Sequence, residues 1–263
     1  EDALYRSIGI KPTDGSEITI PATDFSYAIA SGTERVPIIG SRTPLGVYAS
    51  AVKFSGSFSA IIVPTISSVL KLINSTDGTP LTTFTINDGN TKLTSCKMSS
   101  LKITFAVGKP VTADFSFVAL GKGAGATVTA FSGDIFFVAQ NITLSGIEDY
   151  DCEEISISIT NGLKESYGMK GTDRTPKAIS EDKQEIDIDI KYIEDPKLDV
   201  SGALAVVKEG SISVTGSDGT SEFAIYFTDL QAGDFSKDIK IGDIVRFGLK
   251  YIAKSVSFTA PTE

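Results

Sequence analysis

Hydrophobic and polar residues alternate along several stretches of this chain with the two-residue period of a half-buried β-strand. The clearest are DFSYAIA (24–30) and AVKFSGSFSAII (51–62) in the first half, and EEISISIT (153–160) and QEIDIDIKYI (184–193) in the second. A segment containing Gly and Pro separates the two strands of each half, at residues 31–49 and 161–182. We predict long hairpin loops of about 20 residues there, well beyond the two to five usual for hairpins, and such length indicates a functional role or disorder.

Each half continues with a predicted short helix and three further strands. The helices are TISSVLKLI (65–73) and DPKLDVSGALAVVKE (195–209), because both adjoin a proline and their Leu, Val and Ile recur three or four residues apart. The strands are LTTFTIND, KMSSLKITFAV and VTADFSFVAL in the first half, and SEFAIYFTD, DFSKDIKIG and DIVRFGLKYIAKSVSF in the second. Between the halves, LGKGAGATVTAFSGD (120–134) has the composition of a flexible connector, although TVTAF could add a short strand.

The two halves of the chain have similar sequence patterns. A shift of 132 residues places Arg42-Thr43-Pro44 on Arg174-Thr175-Pro176, sets Phe54, Phe58 and Ile61 on Ile186, Ile190 and Ile193, and sets Phe25 and Tyr27 on Ile157 and Ile159. A shift of 134 matches residues 107–120 with 241–254. Alternating strands also resemble one another by chance, but several blocks in one order at nearly one offset favour a tandem duplication.

The predicted fold is therefore mainly β with some helix (α+β), in two modules at residues 1–128 and 129–263. Each module is expected to be a β-sandwich or half-barrel with one short helix and one long hairpin loop. The 263 residues suffice for two such domains.

Composition narrows the chemistry. The chain has no His and no Trp, so Ser-His and Cys-His pairs and His-ligated metals are excluded, and a sugar site based on a large aromatic platform is disfavoured. Two cysteines, Cys96 and Cys152, do not make a disulfide framework and favour a reducing compartment, with a single bridge between them as the alternative. We predict a protein without enzymatic activity, without a cofactor and without a metal site.

Charge is unevenly distributed. Residues 1–130 carry 11 Lys and Arg against 9 Asp and Glu, whereas residues 131–263 carry 13 against 24. An acidic half repels nucleic acid at close range, so specific nucleic-acid binding is disfavoured. No apolar run approaches the roughly 18 residues of a membrane span. The first residues show no basic region followed by an apolar core, so no signal peptide is expected there.

Two predicted strands carry polar faces of different character. One face presents Lys53, Ser55, Ser57 and Ser59 in the first half and Glu185, Asp187, Asp189 and Lys191 in the second. An ordinary solvated sheet face shows the same alternation. A small, polar or acidic face also suits a wall past which a polyanion moves without sticking, because attraction through many phosphates would arrest it.

Two further motifs give little indication of a binding site. The carboxylates of DCEE (151–154) and EDKQEIDID do not match a calcium-binding loop, and surface carboxylates on strands are usually solvated. GKGAGA (121–126) lacks the Lys-Ser/Thr ending of a phosphate-binding loop.

Residues 152–198 resemble the core of the tail-tube proteins of long-tailed bacterial and archaeal viruses. In that family, a strand of the pattern V-x-S-x-S-(L/I)-x-I-x-N-x-L-x-x-x-Y-G enters a loop that ends in an R-x-P turn, followed by a strand and a helix. The matching positions are Ile155, Ile157, Ile159, Asn161, Leu163, Tyr167, Gly168, Arg174 and Pro176. The first half retains Arg42 and Pro44 but lacks the Asn-x-Leu and Tyr-Gly elements.

This resemblance implies a structural virion protein, assembled in the host cytoplasm, that polymerises with itself as stacked rings around a channel for viral DNA. Duplicated relatives close a ring with three chains in pseudo-sixfold symmetry, so a homotrimer is expected, with other tail proteins at the tube ends. The eight polar-face residues above then become candidates for the channel lining. The long loops reach the adjacent ring, with candidate stacking residues Arg35, Arg42, Pro44, Tyr167, Arg174 and Pro176.

Two alternatives stay open at this point. The chain could be another ring-forming tail component, such as a hub, a terminator or the inner tube of a contractile system. From a different class, it could be a monomeric β-sandwich that acts as an adhesin or binding module.

Overall fold

The computed structural model describes residues 6–36, 46–74, 79–133, 135–147, 151–168, 174–193, 209–238 and 246–259. Within these ranges the chain is mainly β, as the alternation predicts. The strands of the first half are β1 (Arg6–Pro12), β2 (Ile18–Val36), β3 (Gly46–Ile61), β4 (Phe84–Asn87), β5 (Thr91–Ala106), β6 (Thr112–Ala119) and β7 (Gly121–Ala124). Those of the second are β8 (Phe137–Ser145), β9 (Cys152–Tyr167), β10 (Pro176–Ile193), β11 (Glu209–Gly216), β12 (Glu222–Thr228), β13 (Gln231–Asp238), β14 (Arg246–Ala253) and β15 (Ser255–Phe258).

The first predicted helix is confirmed as one short helical segment. It begins as a 3-10 turn at Pro64–Ile66, continues as the α-helix α1 at Ser67–Leu70 and ends as a 3-10 turn at Lys71–Ile73. Proline suits the first turn because its missing N–H has no partner there in any case. The helix predicted at 195–209 lies outside the described residues except for Glu209, where β11 begins.

The first half closes on itself as a six-stranded antiparallel circuit, β5–β4–β1–β2–β3–β6 and back to β5. The long strand β5 makes closure possible. Its first residues pair with β4 and β7, and its later residues pair with β6 and β9. This half is mainly β as expected, and its strands close into a barrel where a β-sandwich or half-barrel was expected.

Eight strands form one continuous antiparallel band in the order β2–β3–β6–β5–β9–β10–β14–β13. The first four belong to the first half of the chain and the last four to the second. The halves meet where β5 pairs with β9 over seven residue pairs, from Ser100↔Thr160 to Ala106↔Glu154. The second half also contributes a separate four-stranded sheet, β15–β12–β11–β8.

One apolar core extends under both sheets. Phe58 stacks on Phe115 with ring centroids 4.4 Å apart, and the two strands that carry them are paired at this position. In the second half, Phe137 of β8 and Phe223 of β12 pack at 5.7 Å. Burying such side chains contributes about 1.5–3 kcal/mol each and is the main stabilising term of the fold.

The predicted loops at 31–49 and 161–182 are wrong in extent. The ladder between β2 and β3 continues to Val36↔Gly46, and that between β9 and β10 continues to Tyr167↔Pro176. The register shifts at Ser31/Thr33 in the first ladder and at Glu181/Gln184 in the second. Such bulges interrupt the side-chain alternation while the backbone pairing continues, so the sequence pattern ends before the strand does.

The predicted flexible connector is also partly wrong. Gly121–Ala124 forms β7, which pairs with Thr91–Thr94 of β5. The next residues stay attached, since Gly125 donates its N–H to the carbonyl of Asn90 at 3.0 Å. The stretch TVTAF (127–131) contains no strand. Glycine is required at 125 because a Cβ there would lie 2.5 Å from the backbone of Asn90.

Candidate functional site

The eight-strand band has one apolar and one polar face. Phe54, Phe58, Ile186, Ile188 and Ile190 are buried on the first. The eight predicted polar-face residues lie on the second, and all of them are exposed or half-buried: Lys53, Ser55, Ser57, Ser59, Glu185, Asp187, Asp189 and Lys191. The predicted alternation of β3 and β10 is therefore confirmed.

The polar face is continuous from one edge of the band to the other. One row of directly opposed residues crosses all eight strands, in the order Asp24, Ser59, Asp114, Lys102, Ser158, Asp187, Ile252 and Gln231. Directly opposed residues share a face of a sheet, so this row fixes the two halves of the chain on a common surface. Small hydroxyls line much of it: Ser59 donates to Asp114 at 2.6 Å, and the hydroxyls of Ser26 and Ser57 lie 3.0 Å apart.

Carboxylates of β10 and of its neighbour β9 pair with lysines on this face; Lys191 was predicted there, whereas Lys250 of β14 was missed. Lys250 of β14 lies 3.2 Å from Asp187, and this hydrogen bond, together with the carboxylate's charge, raises the pKa of the lysine. Lys191 lies 2.7 Å from Glu154 of β9. Lys183 pairs with Glu185 and lowers the pKa of that carboxyl group. The surface is therefore a mixture of both charge signs and not a purely acidic strip.

A polar network fastens the β9–β10 hairpin to the first half of the chain. Buried Asn161 donates to the carbonyls of Ile73 (2.9 Å) and Met98 (3.1 Å). Gln184 donates to the side-chain oxygen of Asn161 (2.9 Å) and to the carbonyl of Ile73 (2.9 Å). Hydrogen bonds are worth more where water is excluded, so the bonds of the buried Asn161 hold the hairpin at its bulge.

A second attachment lies beside the first. Glu181 accepts the backbone N–H of Leu81 with both carboxylate oxygens, at 3.0 and 2.9 Å, and forms an ion pair with Lys97. Lys97 also donates to the carbonyl of Ile179 at 3.1 Å. Both side chains of the ion pair are largely shielded from solvent, with exposed fractions of 12% for the lysine and 21% for the glutamate.

The far end of the same hairpin lies next to β3. Val52 donates its N–H to the carbonyl of Arg174 at 2.9 Å, and Lys53 lies 3.9 Å from Glu165. Burial raises the pKa of Tyr167 to about 12, and the hydrogen bond that its hydroxyl donates to Glu165 acts in the same direction.

The six predicted stacking residues have different surroundings. Tyr167 is half-buried, Arg174 is exposed, and Pro176 is buried at the start of β10. Arg35 lies in β2 opposite Val47, whereas Arg42 and Pro44 lie outside the described residues. A role in stacking stays a prediction for all six.

Two edges of the band are open. Beyond Ala22, none of the described strands pairs with β2 on the side away from β3. At the opposite end of the band, β13 pairs with β14 alone among the described strands. Large apolar side chains are exposed at the β2 edge, with Tyr27 36% and Ile29 45% exposed. Open strand edges are templates for pairing with another chain.

Sequence reasoning missed the fastening residues Gln184, Glu181 and Lys97 and identified Asn161 only as a family position, although one signal of its structural role was available. Ile155, Ile157 and Ile159 occupy the buried face of β9, and Asn161 takes the next position on that face. A polar residue that continues a buried stripe is expected to satisfy a specific hydrogen-bonding partner.

No metal or membrane element accompanies this surface in the part of the chain that the structure describes. No group of three or more Asp, Glu or Cys residues is placed to hold a metal ion there. The described helical segment is too short to cross a membrane. The two cysteines are not bridged; Cys96 is buried and Cys152 half-buried.

Comparison with models of known protein families identifies a match. A family model described as phage tail tube protein matches residues 33–260. This region includes the β9–β10 hairpin, β3 with the last residues of β2, the β5–β9 junction and most of the polar face. No curated protein matches the chain.

Proposed function

The chain belongs to the phage tail tube protein family and is thus a structural component of the virus tail, and we propose that it polymerises into stacked rings around a genome channel. The polar face of the eight-strand band lines this channel. The protein acts by geometry and electrostatics, without enzymatic activity. Its partners are further copies of itself, other tail proteins at the tube ends and the viral DNA, and assembly takes place in the host cytoplasm.

The observation that carries this proposal is the band itself, with its polar face and two open edges. A subunit of a ring must contact a neighbour on each side. The band can do this, because it ends in an open strand on both sides, β2 at one end and β13 at the other. Pairing these edges between copies would also remove the exposed templates that make an isolated sheet prone to aggregate.

The band consists of two similar sets of four strands, β2–β3–β6–β5 and β9–β10–β14–β13. The registers of β3 with β6 and of β10 with β14 agree with the sequence shifts, because Phe58 lies opposite Phe115 and Ile190 lies opposite Leu249. This agreement supports a tandem duplication with modules at 1–128 and 129–263. Three chains then supply six sets, which favours a homotrimeric ring with pseudo-sixfold symmetry.

The charges on the polar face suit passage of DNA. Lys250 and Lys191 are held against Asp187 and Glu154, so these cations are already engaged by carboxylates. Phosphate binding is driven by release of counterions from many lysine and arginine contacts. With these two cations paired, a surface otherwise rich in hydroxyls and carboxylates offers DNA fewer such contacts than a basic surface would.

The hairpins β2–β3 and β9–β10 are the elements we assign to contact between rings. Arg35, Tyr167, Arg174 and Pro176 lie toward the ends of these strands, and the candidates Arg42 and Pro44 belong to the sequence segment that connects β2 to β3. The network around Asn161 would hold the second hairpin at a fixed angle to the ring.

Electron microscopy of the purified chain tests the assembly. Long tubes with a three-chain repeat are expected. Single rings would instead indicate a hub or terminator, and isolated globules would indicate a monomeric binding module and overturn the proposal.

The channel lining has a separate test. The double variant Asp187→Lys, Asp189→Lys places new cations beside Lys250, and virions that carry it should assemble but deliver their genome poorly. The matched control is Glu209→Lys, Glu222→Lys, which makes the same charge change at exposed positions of the four-stranded sheet. Equal infectious titres for both variants would exclude Asp187 and Asp189 from a channel lining that matters.

A further inference from the structure

The junction between the two halves is a template for the junction between copies. Inside the chain, the last strand of the first set (β5) pairs with the first strand of the second set (β9). The corresponding open strands are β13, the last of the second set, and β2, the first of the first set. An interface that continues the same band must join β13 of one copy to β2 of the next.

The residue of β5 that corresponds to each residue of β13 follows from the pairing of these strands with β6 and β14. Leu101 of β5 lies opposite Phe115, and Phe235 of β13 lies opposite Leu249. Since Phe115 and Leu249 correspond by the shift of 134, Phe235 takes the place of Leu101. The same shift continues to the strand end, where Asp238 takes the place of Thr104.

For β2, the offset between each residue and its counterpart in β9 is two residues smaller than the sequence shift of 132. Phe25 lies opposite Phe58, and the residue opposite Ile190 is Ile155. Phe58 and Ile190 correspond, so Phe25 takes the place of Ile155 and not of Ile157 as the sequence shift suggested. By the same step, Tyr27 takes the place of Ile157 and Ile29 that of Ile159.

The exposure of these side chains indicates a missing strand. Ile155, Ile157 and Ile159 are completely buried beside β5, with exposed fractions of 0%. Of their counterparts at the open edge, Phe25 is half-buried, and Tyr27 and Ile29 are 36% and 45% exposed. The same positions are thus shielded where a strand is paired and open to water where none is.

We propose that β13 of one copy pairs antiparallel with β2 of the next copy, in the register of the β5–β9 junction. This pairing specifies the contact between copies in the proposed ring, and it rests on the proposal that the chain forms such rings. Lys102↔Ser158 becomes Ser236↔Ala28, and Thr104↔Ser156 becomes Asp238↔Ser26. Phe235 falls opposite Ile29, an apolar pair at the position of Leu101↔Ile159.

The interface is heterologous, because each copy offers a different edge to each neighbour. Such head-to-tail contacts produce rings when the rotation closes and open filaments when it does not. A junction between chains that is equivalent to the β5–β9 junction would continue the band from one copy into the next.

Disulfide trapping tests the register. The variant Ala28→Cys, Ser236→Cys is assembled, oxidised with a mild copper catalyst and digested for mass spectrometry, which distinguishes the new link from links to the native cysteines. Opposed residues of a sheet lie about 4.5–5.5 Å apart between Cα atoms, within the range a disulfide spans. We expect covalent multimers from the double variant and only dimers when the two single variants are mixed.

Two control variants, one positive and one negative, accompany this experiment. Lys102→Cys, Ser158→Cys places cysteines at the equivalent pair inside the chain and should give an internal link without multimers. Ser26→Cys, Ser236→Cys is displaced from the proposed register by two residues, where Cα atoms lie about 7–8 Å apart and linking should be poor.

The outcomes separate the junction from the function. Rings or tubes that yield the internal link but no 28–236 link overturn the proposed junction and leave the tube function standing, as does efficient linking at 26–236. An unmodified chain that stays monomeric in all conditions overturns both.

Discussion

Replacing Asn161 with alanine should loosen the β9–β10 hairpin and destabilise the whole chain. The side chain of Asn161 is buried and makes three hydrogen bonds: it donates to the carbonyls of Ile73 and Met98 and accepts one from Gln184. Alanine removes all three. The carbonyl of Ile73 keeps its bond from Gln184, but the side-chain bond to the Met98 carbonyl is lost without replacement.

The size of the effect follows from the number of bonds. An intramolecular hydrogen bond contributes about 0.5–1.5 kcal/mol net, and a buried group left without a partner costs about 1–3 kcal/mol. We therefore expect the free energy of unfolding to fall by about 2–4 kcal/mol. The double variant with Gln184→Ala should cost less than the sum of the two single variants, because both remove the same 2.9 Å bond.

Urea unfolding followed by circular dichroism measures this loss, at concentrations where the chain sediments as a monomer. The midpoint should fall with little change in slope, since the surface exposed on unfolding is unchanged. The matched control is Asn90→Ala, the same substitution at an exposed turn residue, expected to stay within about 0.5 kcal/mol of the parent. Equal midpoints for the two variants would refute the view that the network fixes the hairpin.

Three further outcomes are expected. Gly56→Ala should lower the melting temperature and cost about 1–3 kcal/mol, because a Cβ there would lie 2.4 Å from the ring of Phe117. Cys96 should resist alkylation at pH 8 until the chain unfolds, since burial raises the pKa of its thiol to about 12. Asp218→Asn should lower the melting temperature at pH 6 and do so less as the pH falls below 3.8, because hydrogen bonds from Ser221 and Thr220 depress the pKa of Asp218 in the folded state; its stabilising contribution is complete above the ordinary pKa and is lost as the pH falls through the depressed one.

Each of these has a comparison that would contradict it. Gly123→Ala, at a site with no atom within 4 Å, should leave the melting temperature unchanged, and an equal drop would refute the steric argument at Gly56. Alkylation of native Cys96 at the rate of an unfolded control peptide would contradict its burial. A melting-temperature loss for Asp218→Asn that stayed constant down to pH 2.5 would show that the carboxylate's charge plays no part.

The strands that the sequence predicted best are those buried on one face only. β3 and β10 alternate because one side meets Phe or Ile neighbours and the other meets water. The ends of the hairpins were missed because bulges at Ser31/Thr33 and Glu181/Gln184 break the side-chain period without breaking the ladder. β11 was missed because its start fell at the end of a predicted helix.

The joins between strands could not be predicted, since register depends on distant partners. The pairing of β5 with β9 brings together residues about 55 positions apart, and no local pattern specifies it. The basic neighbours of β10 were hidden for the same reason: Lys250 is remote in sequence from Asp187 and meets it only because β14 lies beside β10. Asn161 was identified from the sequence as a family position, but its burial and its hydrogen-bond partners could be recognised only from the fold.

The β5–β9 junction also determines how the chain carries load. A flexible connector would let the two halves swivel, so that tension or bending would concentrate at one point. Here the halves are joined edge to edge over seven residue pairs, and a pull along the strands acts on the whole row of backbone bonds at once. Force applied to one half is therefore transmitted to the other through this row of backbone hydrogen bonds.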